Sequence, residues 1–80
     1  MATYHFHFID GRSLPQTDSE EFAAYPAART AAVSTLGQML CDHPNEVFGD
    51  HDISVEVADD RGLVLLSVIV TAVESLSAPK

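Results

Sequence analysis

Basic residues are scarce in this chain. Its 80 residues include 4 lysines and arginines against 12 aspartates and glutamates, which gives a formal net charge of −8. Phosphate backbones and anionic lipids repel such a chain, so we expect neither nucleic-acid binding nor membrane binding. A basic protein partner would be attracted, although solubility alone also explains the charge.

Cysteine and long apolar runs are equally rare. The single cysteine, Cys41, excludes an internal disulfide, and no cysteine–histidine group has the spacing of a structural zinc module. The most apolar run, residues 63–70, is far shorter than the roughly 20 residues of a membrane helix. The N-terminal residues do not resemble a signal peptide, so we predict a cytoplasmic location.

The stretch YHFHFIDG at residues 4–11 predicts a strand that ends in a turn. Tyr4, Phe6 and Phe8 alternate with polar positions and should form a buried aromatic face. His5 and His7 then lie on the opposite face. We expect a turn at Asp10-Gly11, a loop over residues 12–18, and a short second strand at Glu20–Phe22 that pairs back onto the first.

A helix is predicted from Pro26 to about Asp42, since proline is well suited to a first helical turn. Its predicted apolar stripe consists of Ala28, Ala32, Val33, Leu36, Met39 and Leu40. Small residues form a second stripe, which could let another backbone approach closely: Thr30, Ser34, Gly37 and Cys41.

Two more strands, residues 53–58 and 63–70, flank the sequence DDRG, whose Gly62 suits a left-handed turn position. A four-residue loop would place Val57 opposite Val64 and Val55 opposite Leu66. It would turn Leu63, Leu65 and Ile69 to the face opposite the helix, so something must cover them. The tail could add a short helix bearing Val73 and Leu76, or a second copy could cover the face.

These elements predict one α+β domain over residues 1–80. The fold is an antiparallel sheet of three to four strands with one main helix on one face, in the order strand-strand-helix-strand-strand.

The sequence resembles a family of short bacterial proteins of unknown function. The likeness spans most of the chain and lies in a motif Y-x-F-H-x-x-D-G, an acidic segment before a Pro-led helix, and a motif I-x-V-x-D-x-x-G-x-V. The matching residues are Tyr4, Phe6, His7, Asp10, Gly11, Glu21, Pro26, Ala27, Ala28, Arg29, Ala32, Ile53, Val55, Asp59, Gly62 and Val64. His5 departs from the pattern, where an aromatic is more usual. The resemblance implies the fold and no activity.

The histidines of the first strand could bind a metal ion or take part in acid–base catalysis instead of serving only as polar residues of a strand. His5 and His7 lie two apart on one strand face, near enough to share an ion, with Glu56, His51 or Asp52 as a third ligand. His7 with Asp10 could instead form an acid–base pair, although Asp10 also serves the turn. Exposed histidines need neither explanation, so we predict no metal and no cofactor.

The leading functional prediction is a non-enzymatic protein that self-associates as a homodimer or binds a partner. Its interface would use either Leu63, Leu65 and Ile69 or the small-residue helix stripe. One alternative is a small metal-binding protein or histidine-dependent enzyme using His5, His7 and Asp10. Another is an acidic inhibitor or decoy of a basic protein.

Overall fold

The computed structural model describes residues 1–9, 16–48 and 52–79. It contains a four-stranded antiparallel sheet with one helix between its second and third strands, which confirms the predicted α+β fold. The elements are β1 (Ala2–Ile9), β2 (Gln16–Phe22), α1 (Tyr25–Asp42), a short 3-10 helix (Pro44–Phe48), β3 (Ile53–Ala58) and β4 (Val64–Val70). The strand order is β2-β1-β3-β4, so β2 and β4 are the edges.

The β1 strand alternates as its sequence predicts. Tyr4 and Phe6 are buried on the helix side, while His5 and His7 are half-buried on the other. Phe22 packs on the aromatic row, with ring centroids 6.2 Å from Tyr4 and 5.9 Å from Phe6. These contacts fix which face of the strand receives the helix.

The β2 strand is longer than the predicted Glu20–Phe22, and part of the predicted loop over residues 12–18 belongs to it. It begins at Gln16 and pairs along β1, from Ala2 opposite Phe22 to Phe8 opposite Gln16. Its sequence, QTDSEEF, has little strand propensity of its own. The strand exists because β1 offers a continuous ladder of backbone donors and acceptors.

Helix α1 buries a narrow stripe of residues four positions apart: Ala28, Ala32 and Leu36. Met39 and Leu40 pack at its margin, as predicted, but Val33 is 48% exposed and was wrongly assigned to the buried stripe. Successive helical residues differ by about 100° in direction, so Val33 is rotated away from the line through Ala32. Pro26 occupies the first turn, as its sequence position predicts.

The core lies between α1 and the inner strands. Its buried members are Tyr4, Phe6, Ala28, Ala32, Leu36, Ile53, Val55, Val57 and Ala58. Ile53, Val55 and Val57 are the largest fully buried side chains, and all three belong to β3, which is central in the sheet. The hydrophobic stabilisation of the fold is therefore concentrated where β3 meets the helix.

The β3–β4 register differs from the predicted one. Val57 pairs with Leu66 and Val55 with Val68, a shift of two residues, while Ala58 pairs with Val64. A β-bulge at this point makes Leu65 the extra residue of β4 and leaves Val64 48% exposed instead of in the core. Because the shift is two residues, Leu66 remains on the helix side as predicted.

The tail forms no helix over residues 71–79, so the short C-terminal helix that the sequence allowed is absent there. It contains a turn in which the Ala78 N–H donates to the Ser75 carbonyl at 3.0 Å, and Val73 and Leu76 are exposed. A helix this short is marginal unless its apolar side packs on something. The tail therefore does not cover the face opposite the helix.

Candidate interaction surface

His5 and His7 lie on the face of the sheet opposite α1, and each is hydrogen-bonded to a side-chain hydroxyl of β2. His5 Nδ1 is 2.8 Å from Ser19 Oγ, and His7 Nδ1 is 3.0 Å from Thr17 Oγ1. The pairs follow from the register, which sets His5 opposite Ser19 and His7 opposite Thr17. Each histidine therefore has a cross-strand hydrogen bond that links β1 to the edge strand.

A polar row crosses this face at the level of His7. His7 lies opposite Glu56, and Glu56 lies opposite Ser67 on β4. The pairing of β1 with β3 therefore sets Glu56 beside His7, the arrangement that the sequence allowed if these two strands were neighbours. In the described ranges, however, no three His, Cys, Asp or Glu side chains form a group that could hold a metal ion.

Several candidate polar residues fall outside the described ranges. Asp10, Gly11 and His51 are among them, so the His7–Asp10 pair and the Asp10-Gly11 turn stay predictions. Asp52 is described and is exposed immediately before β3.

The apolar residues predicted for an interface are exposed at β4 and its hairpin. Leu63 is 59% exposed, Leu65 40% and Ile69 61%. Ile69 lies opposite Ser54 on β3, and Ser54 lies opposite Ile9 on the face without the helix. Large apolar side chains exposed along one edge strand are typical of a contact surface.

The two edges of the sheet differ in charge. Strand β2 carries Asp18, Glu20 and Glu21 within its seven residues. Strand β4, VLLSVIV, has neither a charged residue nor a proline. Charged side chains and proline are common devices that prevent edge-to-edge pairing, so β2 is protected and β4 is not.

The small-residue stripe of α1 is exposed at all of its predicted interface positions, Thr30, Ser34 and Gly37. Thr30 and Ser34 line a shallow depression with Arg29 and Val33. A Cβ atom added at Gly37 would meet nothing within 4 Å, so no close backbone contact within the described chain requires this glycine.

A cleft that the sequence patterns did not predict lies between α1 and β2. It has a volume of about 220 Å³ and is lined by Phe6, Phe8, Asp18, Ser19, Glu20, Ala31, Ala32 and Thr35. The helix presents alanines here, whose short side chains leave the gap open. Two sequence features could have indicated this cleft. The helix has small alanines at Ala31 and Ala32, and β2 has acidic residues two positions apart, Asp18 and Glu20.

Asp59 organises the hairpin that carries Leu63. Its Oδ1 accepts the N–H of Leu63 and the N–H of Arg61, both at 2.9 Å. The bond from Leu63 is the main cause that lowers the pKa of the Asp59 carboxyl, followed by the Arg61 bonds, with partial desolvation opposing them. Gly62 has a φ of 88°, which confirms the predicted left-handed position.

Comparison with known proteins gives a family and no activity. A family model described as a domain of unknown function, DUF6894, matches residues 3–71. The chain belongs to this family. The DUF6894 match begins within β1 and ends just after β4, so among the described elements it includes α1, β2, β3, β4 and all of β1 except Ala2. No curated protein and no solved structure matches the chain.

A helix that crosses a bilayer needs roughly 20 apolar residues, whereas α1 of this DUF6894 protein has 18 residues of mixed polarity. Within the described ranges, no helix is both long enough and apolar enough to cross a membrane.

Proposed function

We propose that this protein is a small non-enzymatic protein that self-associates as a homodimer, and that its subunits meet at β4. The observation that carries the proposal is the combination of an uncharged edge strand with exposed apolar side chains, among them Leu65 and Ile69. Burying such side chains yields about 25 cal/mol for each Å² of apolar surface removed from water. The short chain has no disulfide to add to its thin core, so association is a natural source of stability.

The helix stripe is the competing interface. Its exposed members are small and polar, so they offer less apolar area than β4 does. Strand β4 is also an edge of the sheet, so the backbone donors and acceptors on its outer side are available to a partner. We therefore place the subunit contact at β4.

Light scattering on a sizing column tests the proposal. We expect the mass of two chains at about 100 µM and a shift toward one chain on dilution. Ile69→Asp and Leu65→Asp should each give the mass of one chain at the same concentration, because a buried unpaired carboxylate is costly. The matched control is Ser34→Asp on the helix stripe, which should remain a dimer.

A mass of one chain up to several hundred micromolar would refute self-association. Dissociation by Ser34→Asp without dissociation by Ile69→Asp would move the contact to the helix and overturn the β4 location. Circular dichroism of each variant establishes whether it remains folded. Since Ile69 is 61% exposed, its substitution should leave the single chain intact.

A second candidate function, binding of a basic protein segment, is favoured by the cleft between α1 and β2. Phe6 and Phe8 line its apolar part, and Asp18 and Glu20 its acidic part. A lysine or arginine side chain could rest its stem on the aromatics and its charge against the carboxylates. Calorimetric titration with a lysine-rich peptide tests it: binding should weaken with salt and with Asp18→Asn, but not with Asp60→Asn.

A further inference from the structure

We propose that β4 pairs with β4 of a second copy, antiparallel and centred on Ser67, so that two sheets join into one continuous sheet. The inference rests on the proposed self-association and specifies its geometry. Its motivation is that β4 ends the sheet: no strand in the described part of the chain pairs with its outer side. A free edge presents a row of unpaired N–H and C=O groups, which an identical strand can satisfy.

The sequence of β4 is nearly self-complementary about its middle residue. Around Ser67, the strand reads Val-Leu-Leu on one side and Val-Ile-Val on the other. An antiparallel pairing centred there sets Ser67 opposite its own copy, Leu66 opposite Val68 of the partner subunit, and Leu65 opposite Ile69 of the partner subunit. Every pair then joins side chains of the same character, and because the axis is two-fold, each pair apart from the central serine pair occurs twice.

Other registers match less well. Moving the centre to Val68 would set Ser67 opposite Ile69 of the partner subunit and Leu65 opposite Thr71 of the partner subunit. Moving it to Leu66 would set Ser67 opposite Leu65 of the partner subunit. Both registers pair a polar residue with an apolar one at the middle of the contact, so the hydrophobic pattern selects Ser67 as the centre.

This pairing covers apolar surface on both sides of the sheet. On the helix side, Leu66 and Val68 are half-buried within one chain and would gain neighbours from the second. On the other side, Ile69 would lie at the level of Leu65 of the partner subunit, the residue that the bulge leaves without an opposite on β3. The bulge that displaces Leu65 lies at the hairpin end of β4 and leaves the pairing of Leu66–Val70 with β3 regular.

Charge repulsion between two acidic copies does not oppose this geometry strongly. The acid closest to the junction in the central polar row is Glu56, which lies opposite Ser67 on β3. In the joined sheet, three strand spacings separate Glu56 from Glu56 of the partner subunit, or about 14 Å at about 4.8 Å each. That distance exceeds the Debye length of about 8 Å at physiological salt, so the repulsion is largely screened.

Cysteine cross-linking tests the register. In a Cys41→Ser background, Ser67→Cys should form a covalent dimer within minutes in oxidised glutathione, because opposed residues of paired strands lie about 4.5–5.5 Å apart. Ile69→Cys is the matched control on the same strand. The two copies of residue 69 would be offset by four residues, about 13 Å, which no disulfide spans.

A second measurement does not depend on side chains. Hydrogen exchange of β4 amides should slow at least tenfold between a concentration at which the protein is a monomer and one at which it is a dimer, because the outward amides become bonded. The amides of β2 should show no such change. Ser67→Lys should abolish the change, since two like charges would then lie opposite each other at the centre.

The outcomes separate this inference from the proposed function. A dimer by mass in which Ser67→Cys cross-links no faster than Ile69→Cys, with β4 amides unprotected, would overturn the edge pairing and leave self-association standing. A protein that is a monomer throughout would overturn both. Rapid cross-linking of Ser67→Cys alone, together with protected β4 amides, would establish the register.

Discussion

Asp59 and Leu63 are joined by two hydrogen bonds of 2.9 Å, one from each direction. The Asp59 N–H donates to the Leu63 carbonyl, and the Leu63 N–H donates to Asp59 Oδ1. A third bond, from the Gly62 N–H to the Asp59 carbonyl at 3.0 Å, closes the loop. The Asp59 carboxylate therefore supports the hairpin that positions β4, together with two backbone hydrogen bonds.

This arrangement predicts a loss of stability in acid. The folded chain lowers the pKa of Asp59, mainly through the bond from Leu63, so folding favours the charged carboxylate. Its contribution is fully present above the ordinary aspartate pKa of about 4 and is lost as the pH falls through the lowered folded pKa. Asp59→Ala should reduce the Tm at pH 7 and flatten the acid limb of the Tm–pH curve.

Asp60→Ala is the control for this prediction. Asp60 is the next residue, carries the same charge and is exposed. Its removal should leave the acid limb unchanged, because the Leu63 N–H bonds to Asp59. An Asp59→Ala variant whose Tm follows the wild-type pH curve would contradict the proposed role of the carboxylate.

The packing of α1 on the sheet predicts that two of its apolar residues differ strongly in their contribution to the free energy of unfolding. Leu36 is buried against the sheet, whereas Val33, three residues earlier, is 48% exposed. Leu36→Ala should lower the free energy of unfolding by about 2–5 kcal/mol, because it leaves a cavity in a small core. Val33→Ala should change it by less than about 0.5 kcal/mol. Urea denaturation checks both, and similar losses would mean that the helix is rotated from the described orientation.

Local sequence patterns were sufficient to predict the elements that bury one face and expose the other. Tyr4 and Phe6 alternate with histidines, so the strand and its inner face follow from period two alone. Gly62 was predictable as a left-handed residue because only glycine adopts that conformation without cost. Pro26 similarly marks the start of the helix.

Non-local pairing explains what the sequence did not predict. Strand β2 is polar, and only its ladder with β1 extends it back to Gln16. The bulge at Leu65 lies beside the loop that Asp59 closes, and a strand that is apolar on both faces contains no sequence signal for its register. The cleft beside Ala31 and Ala32 requires the positions of two elements at once.

Alanine substitutions at Gly62 and Gly37 should change the stability of the fold in opposite directions. Gly62→Ala should destabilise the chain by about 1 kcal/mol or more, because a φ of 88° is strained for any residue with a Cβ. Gly37→Ala should stabilise it by about 0.5–1 kcal/mol, since Gly37 lies within α1 and an added Cβ meets nothing within 4 Å. Thermal unfolding of both variants checks the pair. A destabilising Gly37→Ala would indicate that something approaches this side of the helix.

The hydrogen bonds that join His5 and His7 to hydroxyls of β2 predict a structural role for both histidines. Ser19→Ala and Thr17→Val should each lower the free energy of unfolding by about 1 kcal/mol or less, because each removes one exposed hydrogen bond to an imidazole nitrogen. Protein purified without a tag should contain less than about a tenth of a zinc ion per chain, and added zinc should not raise the Tm. Elemental analysis and thermal unfolding measure these quantities. One ion per chain, lost in His7→Ala but retained in His43→Ala, would instead establish a metal site on this face.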